Sequence, residues 1–505
     1  MPRLHPDLVW LGPPERPALF SPTTGRHLRV AADGVVALQA GDAAPERAPL
    51  WRRLADLGLT TEGPDPLALR PCRSRCVLLL PDRPALWYPL PTHPTPGGFA
   101  HAALPLDPEG VALWRAANGG RTLAEVADHA GVPRARAAAF FRRLTAPDVQ
   151  AAQLRARPPR PRDPGLARLV ALPRPGSPRP ADQRGAHGET TLGAYHAAID
   201  HPDRHFDDRE TTVAHAFAVP HPALGGRPFG AALHAGLGSR GMLPSSGTVL
   251  EIGGGDGELG ADFWAAAAAA GRPTGRALRL DASPALLALQ AARQPHTIGT
   301  LGDATQLPYP DGGVDLVLCN EVMADLMATP WGRGERGGPA SAVADRVARY
   351  GLTPLPPGAL HNLGAWQLVE EVGRVLAPGG AAFLSEFGAL DEVPTETTQL
   401  DHPEVSIHFG HLRQVAEGCG LEAEVVSLAD LLGADLAARW LSRPSWDAAR
   451  ALAAAAGAHL PARAWTAATV PLPEPVEGLV DAPVSADGPG PVLTRFLALL
   501  IRRPG

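Results

Sequence analysis

Residues 247–260 read GTVLEIGGGDGELG. Thr248–Ile252 is an apolar run of strand length, and Gly253, Gly255 and Gly257 follow it at alternate positions. From Asp256 to about Gly271 the composition turns to alanine, which predicts a helix. Alternate glycines at a strand-to-helix turn let the backbone approach a ligand closely, with amides pointing at it. The stretch therefore predicts an α/β domain with a ligand at the carboxyl end of its first strand.

The succession downstream sharpens this. RALRLDAS is a second strand ending in Asp281, where a carboxylate can take both hydroxyls of a ribose; Ala282 follows it. Gly302-Asp303-Ala304 closes a third strand, Val314–Cys319 is a fourth that ends in Asn320-Glu321, and a Pro378-Gly379-Gly380 turn precedes a fifth. VLTRFLALLIRR near the end suits a last, antiparallel strand. Two fold families use such a glycine turn, dinucleotide-binding domains and S-adenosylmethionine-dependent methyltransferases. The dinucleotide fingerprint calls for a further glycine where Glu258 stands, and Glu251, two before the first glycine, would repel a pyrophosphate at close range.

Across about residues 245–430 the order and spacing of these motifs resemble the class I S-adenosylmethionine-dependent methyltransferases. The resemblance implies a seven-stranded Rossmann-like sheet with helices on both faces, and S-adenosyl-L-methionine as cofactor. It implies methionine-moiety contacts from Glu251 and the loop Gly253, Gly254, Gly255, Asp256 and Gly257. It implies ribose contacts from Asp281 and Ala282, adenine contacts at Gly302, Asp303 and Ala304, and a backbone-ordering or cofactor contact from Asn320.

Within that class, NEVMADL (320–326) and DHPEVSIHFGHLRQVAEGCGL (401–421) resemble the MidA-like branch, which includes protein-arginine methyltransferases; SEFG (385–388) departs from its usual Asp-Tyr pair. A guanidinium is a poor nucleophile, and paired carboxylates can fix its plane and localise its charge. Glu321 and Glu386, at the carboxyl ends of adjacent strands, are the candidate pair, with His408 as a lid residue or base over the methyl group. Helix-cap or ion-pair roles remain open for both acids. HFDDRETTVAHAF (205–217) is expected to form one helix over the cofactor, with Glu210 facing it, and Tyr309 and Trp331 are candidate wall aromatics. His201 and His205 lie one helical turn apart without a third ligand, so no metal is expected, and His215 and its neighbours read as surface or capping histidines.

Charge divides the 505 residues. The chain holds no lysine, which excludes Schiff-base chemistry and a P-loop. Residues 1–150 carry +3, 151–186 carry +6 and 187–505 carry −15. The Pro/Arg-rich piece 151–186 reads as a stiff linker. Upstream, 1–75 forms a small α+β module, and 76–150 a winged-helix-like module in which ALWRAANGGRTLAEVADHAGV resembles PqqD-like peptide-recognition domains. A structural or dimerising cap, peptide docking and DNA binding stay open for it. Downstream lies the methyltransferase domain, 187–505, with a helical cap (187–245), a lid insertion (328–361) and a helical insertion (428–490). The expected enzyme methylates a protein or peptide side chain, arginine first. The alternatives are small-molecule O- or N-methylation and a cofactor-sensing DNA-binding regulator. A homodimer is compatible, and nucleic acid is disfavoured by the charge. No membrane span, no signal segment and only four cysteines predict a cytoplasmic protein.

Overall fold

The computed structural model describes residues 9–11, 18–21, 26–29, 50–52, 54, 65–74, 76–95, 98–146, 148–155, 199, 202–208, 210–272, 275–331, 338–399 and 402–505. Most of the linker 151–186 lies outside them. The chain divides into two compact units: Met1–Asp182 with Arg443–Leu460 and Ala467–Asp481, and Gln183–Ser442 with Pro461–Thr466 and Ala482–Gly505.

In the first unit, strands Leu78–Leu80, Ala85–Thr95 and Gly98–Pro105 form an antiparallel sheet. Three helices follow, Pro108–Ala116, Leu123–Ala130 and Arg134–Leu144. Local sequence sets their ends. Asp107 accepts from the Gly110 amide, Thr122 and Glu125 form a reciprocal capping box, and Gly131 ends the second helix in the left-handed region. The continuous apolar run at 77–80 reports burial on both faces. Leu79 and Leu86 pack against Trp114, Val126 and Phe141. Leu78, Leu80 and Trp87 pack instead on Ala448 and Leu452 of the helix Arg443–Ala455.

Two expected boundaries are corrected here. Arg70–Arg73 pairs with Ala152–Arg155, and Leu69 and Leu154 share the core of the three helices, so cuts at 75/76 and 150/151 each divide one folded unit. Residues 443–460 and 467–481 belong to this unit, not to a helical insertion of the other. Glu477 and Leu79 exchange two backbone hydrogen bonds of 2.9 Å. Much of 456–480 has no regular structure.

The second unit is built on eight strands: β1 (Thr248–Ile252), β2 (Arg276–Asp281), β3 (Ile298–Leu301), β4 (Val314–Asn320), β5 (Leu376–Ala389), β6 (Ile407–His408), β7 (Glu422–Ser427) and β8 (Phe496–Arg502). Their order is β3-β2-β1-β4-β5-β8-β7, with short β6 pairing the end of β5 off this path. The sheet thus has eight strands where seven were expected. It is parallel except at β8, which runs antiparallel between β5 and β7. The expected turn at 378–380 is absorbed into β5, with Gly379 left-handed.

Strand alternation gives two cores. Leu316, Leu318 and Phe383 face one side, against Leu233, Leu237 and Phe263. Val317, Cys319 and Leu384 face the other, against Trp366, Val372 and Leu412. The helices concerned are α1 (Pro202–Asp208), α2 (Val213–Ala216), α3 (Phe229–Ser239), α4 (Glu258–Ala269), α5 (Pro284–Arg293), α6 (Gly338–Tyr350), α7 (Leu363–Val375) and α8 (Phe409–Gly418). The insertion 328–361 is α6 flanked by a two-stranded ribbon, Thr329–Trp331 with Ala359–His361. No described helix is long and apolar enough to cross a membrane.

Candidate active site

A cleft of about 840 Å³ opens at the carboxyl ends of β1, β2 and β4. Its floor is the glycine loop. Gly253 has φ +63°, and a Cβ there would stand 2.3 Å from Cγ2 of Val322. Gly255 has φ +53°, beneath the ring of Phe206. Only a bare backbone fits this turn.

Two glutamines, Gln290 of α5 and Gln294 at its C-terminal cap, hold the loop in place. Gln290 Nε2 donates to the Gly255 carbonyl (2.9 Å) and to Oδ2 of Asp281 (2.8 Å). Gln294 Nε2 donates to the Gly257 carbonyl (2.7 Å) and to Oε2 of Glu251 (3.3 Å). Sequence reading missed both. Their signal was a pair of polar residues four apart on one face of a helix otherwise rich in Leu and Ala. Glu251 is 2% exposed and sits under the loop. Burial pushes its carboxyl up to about 7, against the Gln294 hydrogen bond and the charge of Arg279. Asp281 ends β2, with Oδ1 taking the Ser283 amide at 2.9 Å. Gly254, Asp256, Ala282, Gly302, Asp303, Ala304 and Asn320 also line the cleft, as does Glu251. Gly257 is not among the lining residues; at φ +85° it caps α4 and packs on Gln290.

Of the expected carboxylate pair only Glu321 lines the cleft. Asn320 and Ser385 are register partners, and the Ser385 hydroxyl donates to Asn320 Oδ1 at 2.7 Å. The Glu321 amide still donates to the Ser385 carbonyl at 2.9 Å. Glu321 leaves its strand at φ +55° and lines the cleft, with Oε1 accepting from the Val213 backbone amide (2.8 Å) and from Nδ2 of Asn320 (2.9 Å). Glu386 stays in β5, 2% exposed and off the cleft lining, with Oε2 accepting from the Ala324 amide at 3.1 Å. Burial pushes Glu321 up to about 8. Burial, with the charges of Glu321 and Glu404, raises Glu386 well above the carboxylate range. His408 is corrected too. It caps α8, Nδ1 accepting from the His411 amide at 3.0 Å, and its ring stacks 3.9 Å from that of His411, away from the cleft lining. Tyr309 and Trp331 pack against the core.

The cap over the loop is two short helices, α1 and α2, not one. Thr212 breaks the run by capping α2 through the His215 amide (3.0 Å). Phe206, His205, Glu210 and His215 all line the cleft. His215, expected at the surface, is 4% exposed. His201 lies outside the described residues.

These features fit S-adenosylmethionine. A turn without room for Cβ atoms, an acid ending the neighbouring strand and the buried Oε1 of Glu251, without a hydrogen-bond partner among the described residues, surround one cleft. Residues 250–331 match the family model described as a methyltransferase domain. The fold and cleft define a class I methyltransferase. The protein is an S-adenosylmethionine-dependent methyltransferase, and S-adenosyl-L-methionine is its cofactor. No curated protein matches the chain. Among solved structures it is similar to a TehB-like S-adenosylmethionine-dependent methyltransferase from Corynebacterium glutamicum (19% identity, 42% of this chain and 83% of that one, TM-score 0.24). It is also similar to the 1,6-didemethyltoxoflavin-N1-methyltransferase of Burkholderia thailandensis (14% identity, 56% and 80%, TM-score 0.28) and to an uncharacterised protein of the same organism (16% identity, 65% and 94%, TM-score 0.36).

The buried acids set a pH dependence. Above the ordinary carboxyl value of 4.5 the unfolded chain releases protons that the native chain keeps at Glu251, at Glu321 and at Glu386. Stability of the cofactor-free protein therefore falls as pH rises from about 5 through 8. His411, lowered by burial to about 4, works the other way below 6.5. Melting temperatures across pH 5 to 9 are expected to peak on the acid side of neutrality. A continuous rise up to pH 8 contradicts the burial of these carboxyls.

Proposed function

We propose that the enzyme methylates a basic nitrogen on a protein or peptide side chain, arginine first. One observation carries this. Glu210, Glu321, Asp325 and Glu396 line the cleft beyond the loop and ribose positions, and among the described residues no arginine does, although the chain holds 46 arginines. Such a lining favours a cationic or neutral acceptor and repels carboxylates and phosphates.

In this reading Gly253 and Gly255 offer bare backbone to the methionine moiety and Asp281 takes the ribose hydroxyls. Ala282, Gly302, Asp303 and Ala304 border the adenine, and Asn320 orders the end of β4. The bound cofactor supplies an electrophilic methyl on a sulfonium, and the chain's share is positioning. Glu321, which burial keeps protonated up to about pH 8, is placed to hold the acceptor nitrogen and, once ionised, to take its proton. The resemblance to the MidA-like branch supports the protein substrate, although Glu386 gives no second arm to a guanidinium clamp. Residues 65–155 serve as a winged-helix-like, peptide-docking module.

A small-molecule N- or O-methyltransferase is the second reading. It is favoured by the cleft volume, within the range of pockets that enclose one compact ligand. Incubation with labelled S-adenosylmethionine and a cell extract separates the two: label in proteins supports the first, and label confined to metabolites rejects it. Cofactor binding with DNA binding and no turnover would point instead to a sensing regulator. Glu321→Gln is expected to lower kcat roughly 100-fold, with the cofactor KM changed less than about threefold. Steady-state kinetics on the identified acceptor check this.

A further inference from the structure

We infer that His215 is a proton-dependent latch that holds the cap over the cofactor cleft. The inference rests on the methyltransferase reading. The ring stands between two carboxylates, Nε2 at 2.7 Å from Asp207 Oδ1 and Nδ1 at 2.9 Å from Asp256 Oδ2. A carboxylate offers only lone pairs, so satisfying both contacts requires a proton on each ring nitrogen, and the ring is an imidazolium. Asp207 belongs to α1 of the cap, His215 to α2, and Asp256 to the glycine loop, so one cation ties the cap to the floor it covers. A third segment joins them. The Ala462 amide donates to Asp207 Oδ1 (2.7 Å), and Arg463 donates to the His215 carbonyl (2.9 Å) and to Glu258 (2.8 Å).

The charges around the ring require the proton. Asp207, Asp256 and Glu258 face two guanidiniums, those of Arg463 and of Arg293, which bridges Asp256 (2.9 Å) and Glu258 (3.0 Å). With His215 protonated the five groups and the ring are neutral; without it a buried negative charge is left over. Asp262, the next acid along α4, is raised to about 6, first by burial and then by the charges of Glu258 and Asp256. From the cap, His205 pairs with Glu210 at 3.1 Å, and the Phe206 ring lies 5.8 Å from that of His215. Burial works against the charge of His215, but its bonds to Asp207 and Asp256 hold it above the usual imidazole range. Asp256, raised by burial yet held by His215 and Arg293, falls to about 2 and stays ionised. When His215 loses its proton, one ring nitrogen turns a lone pair toward a carboxylate, and the cap loses its hold on the loop.

The test is calorimetric binding of S-adenosylhomocysteine to the full chain between pH 6 and 9, for the wild type, His215→Gln and Asp207→Asn. Wild-type affinity is expected to weaken roughly tenfold or more across that range, the Asp207→Asn midpoint to fall by about one pH unit, and His215→Gln to be weak at pH 6 and to keep only the shallower dependence that Glu251 and Glu321 set. Thermal melts establish that each variant folds. Parallel slopes in wild type and His215→Gln overturn the latch alone. Absence of binding to the wild type at every pH overturns the cofactor reading and the latch with it.

Discussion

Gly253→Ala is expected to cost the protein about 3 kcal/mol of cofactor affinity, roughly 100-fold, with the fold intact. The residue stands at φ +63°, where any side chain strains the backbone. The added Cβ would also lie 2.3 Å from Cγ2 of Val322. That methyl group belongs to a stiff, β-branched side chain just past β4, so relief must come from moving the loop or the strand end, and both border the cleft. Gly271→Ala serves as the control. Its φ is +64°, but its Cβ would meet nothing within 4 Å. It should lose only the conformational term, about 1 kcal/mol of stability, and bind normally. Calorimetry of S-adenosylhomocysteine binding to both variants decides the matter. Equal affinities would mean that the close approach of Gly253 to Val322 has no bearing on the ligand.

Trp366 is expected to give the largest stability loss. It is fully buried on α7, edge-on to His361 and His411. Truncation to alanine should cost about 3 to 5 kcal/mol. Its indole N–H is buried without a hydrogen-bond partner among the described residues, and that unsatisfied group is itself a cost of about 1 to 3 kcal/mol. Trp366→Phe removes the N–H and keeps an aromatic body, so it should stay within about 1.5 kcal/mol of wild type. Denaturant melts of both variants measure the contrast. A loss as large for phenylalanine as for alanine would imply that the N–H has a partner in solution.

The two sets of residues differ in how local their information is. The strand, glycine turn and helix at 248–269, the acid ending β2 and the Asn-Glu step at the end of β4 were legible because each rests on a short-range pattern. Alternation makes a strand, glycine alone tolerates the turn, and a strand's end points into the cleft. Glu386 and His408 were misplaced because strand adjacency does not say which side chain reaches the cleft. Glu321 turns out of its strand at φ +55° while Glu386 remains in β5, and His408 is spent on the helix it caps. Gln290, Gln294 and His215 act through partners 8 to 43 positions distant, beyond any pattern of spacing.

By itself the sequence determined the class: a parallel sheet with a methyl-donor cleft, because backbone freedom at alternate glycines and the charge of one acid are properties of the residues where they stand. Only the tertiary structure decided which acids reach the cleft, that residues 443–460 pack on an N-terminal sheet, and that one histidine bridges two carboxylates. Those outcomes depend on which charges and apolar faces folding brings to within a few ångströms, and burial alone makes such pairings costly to break.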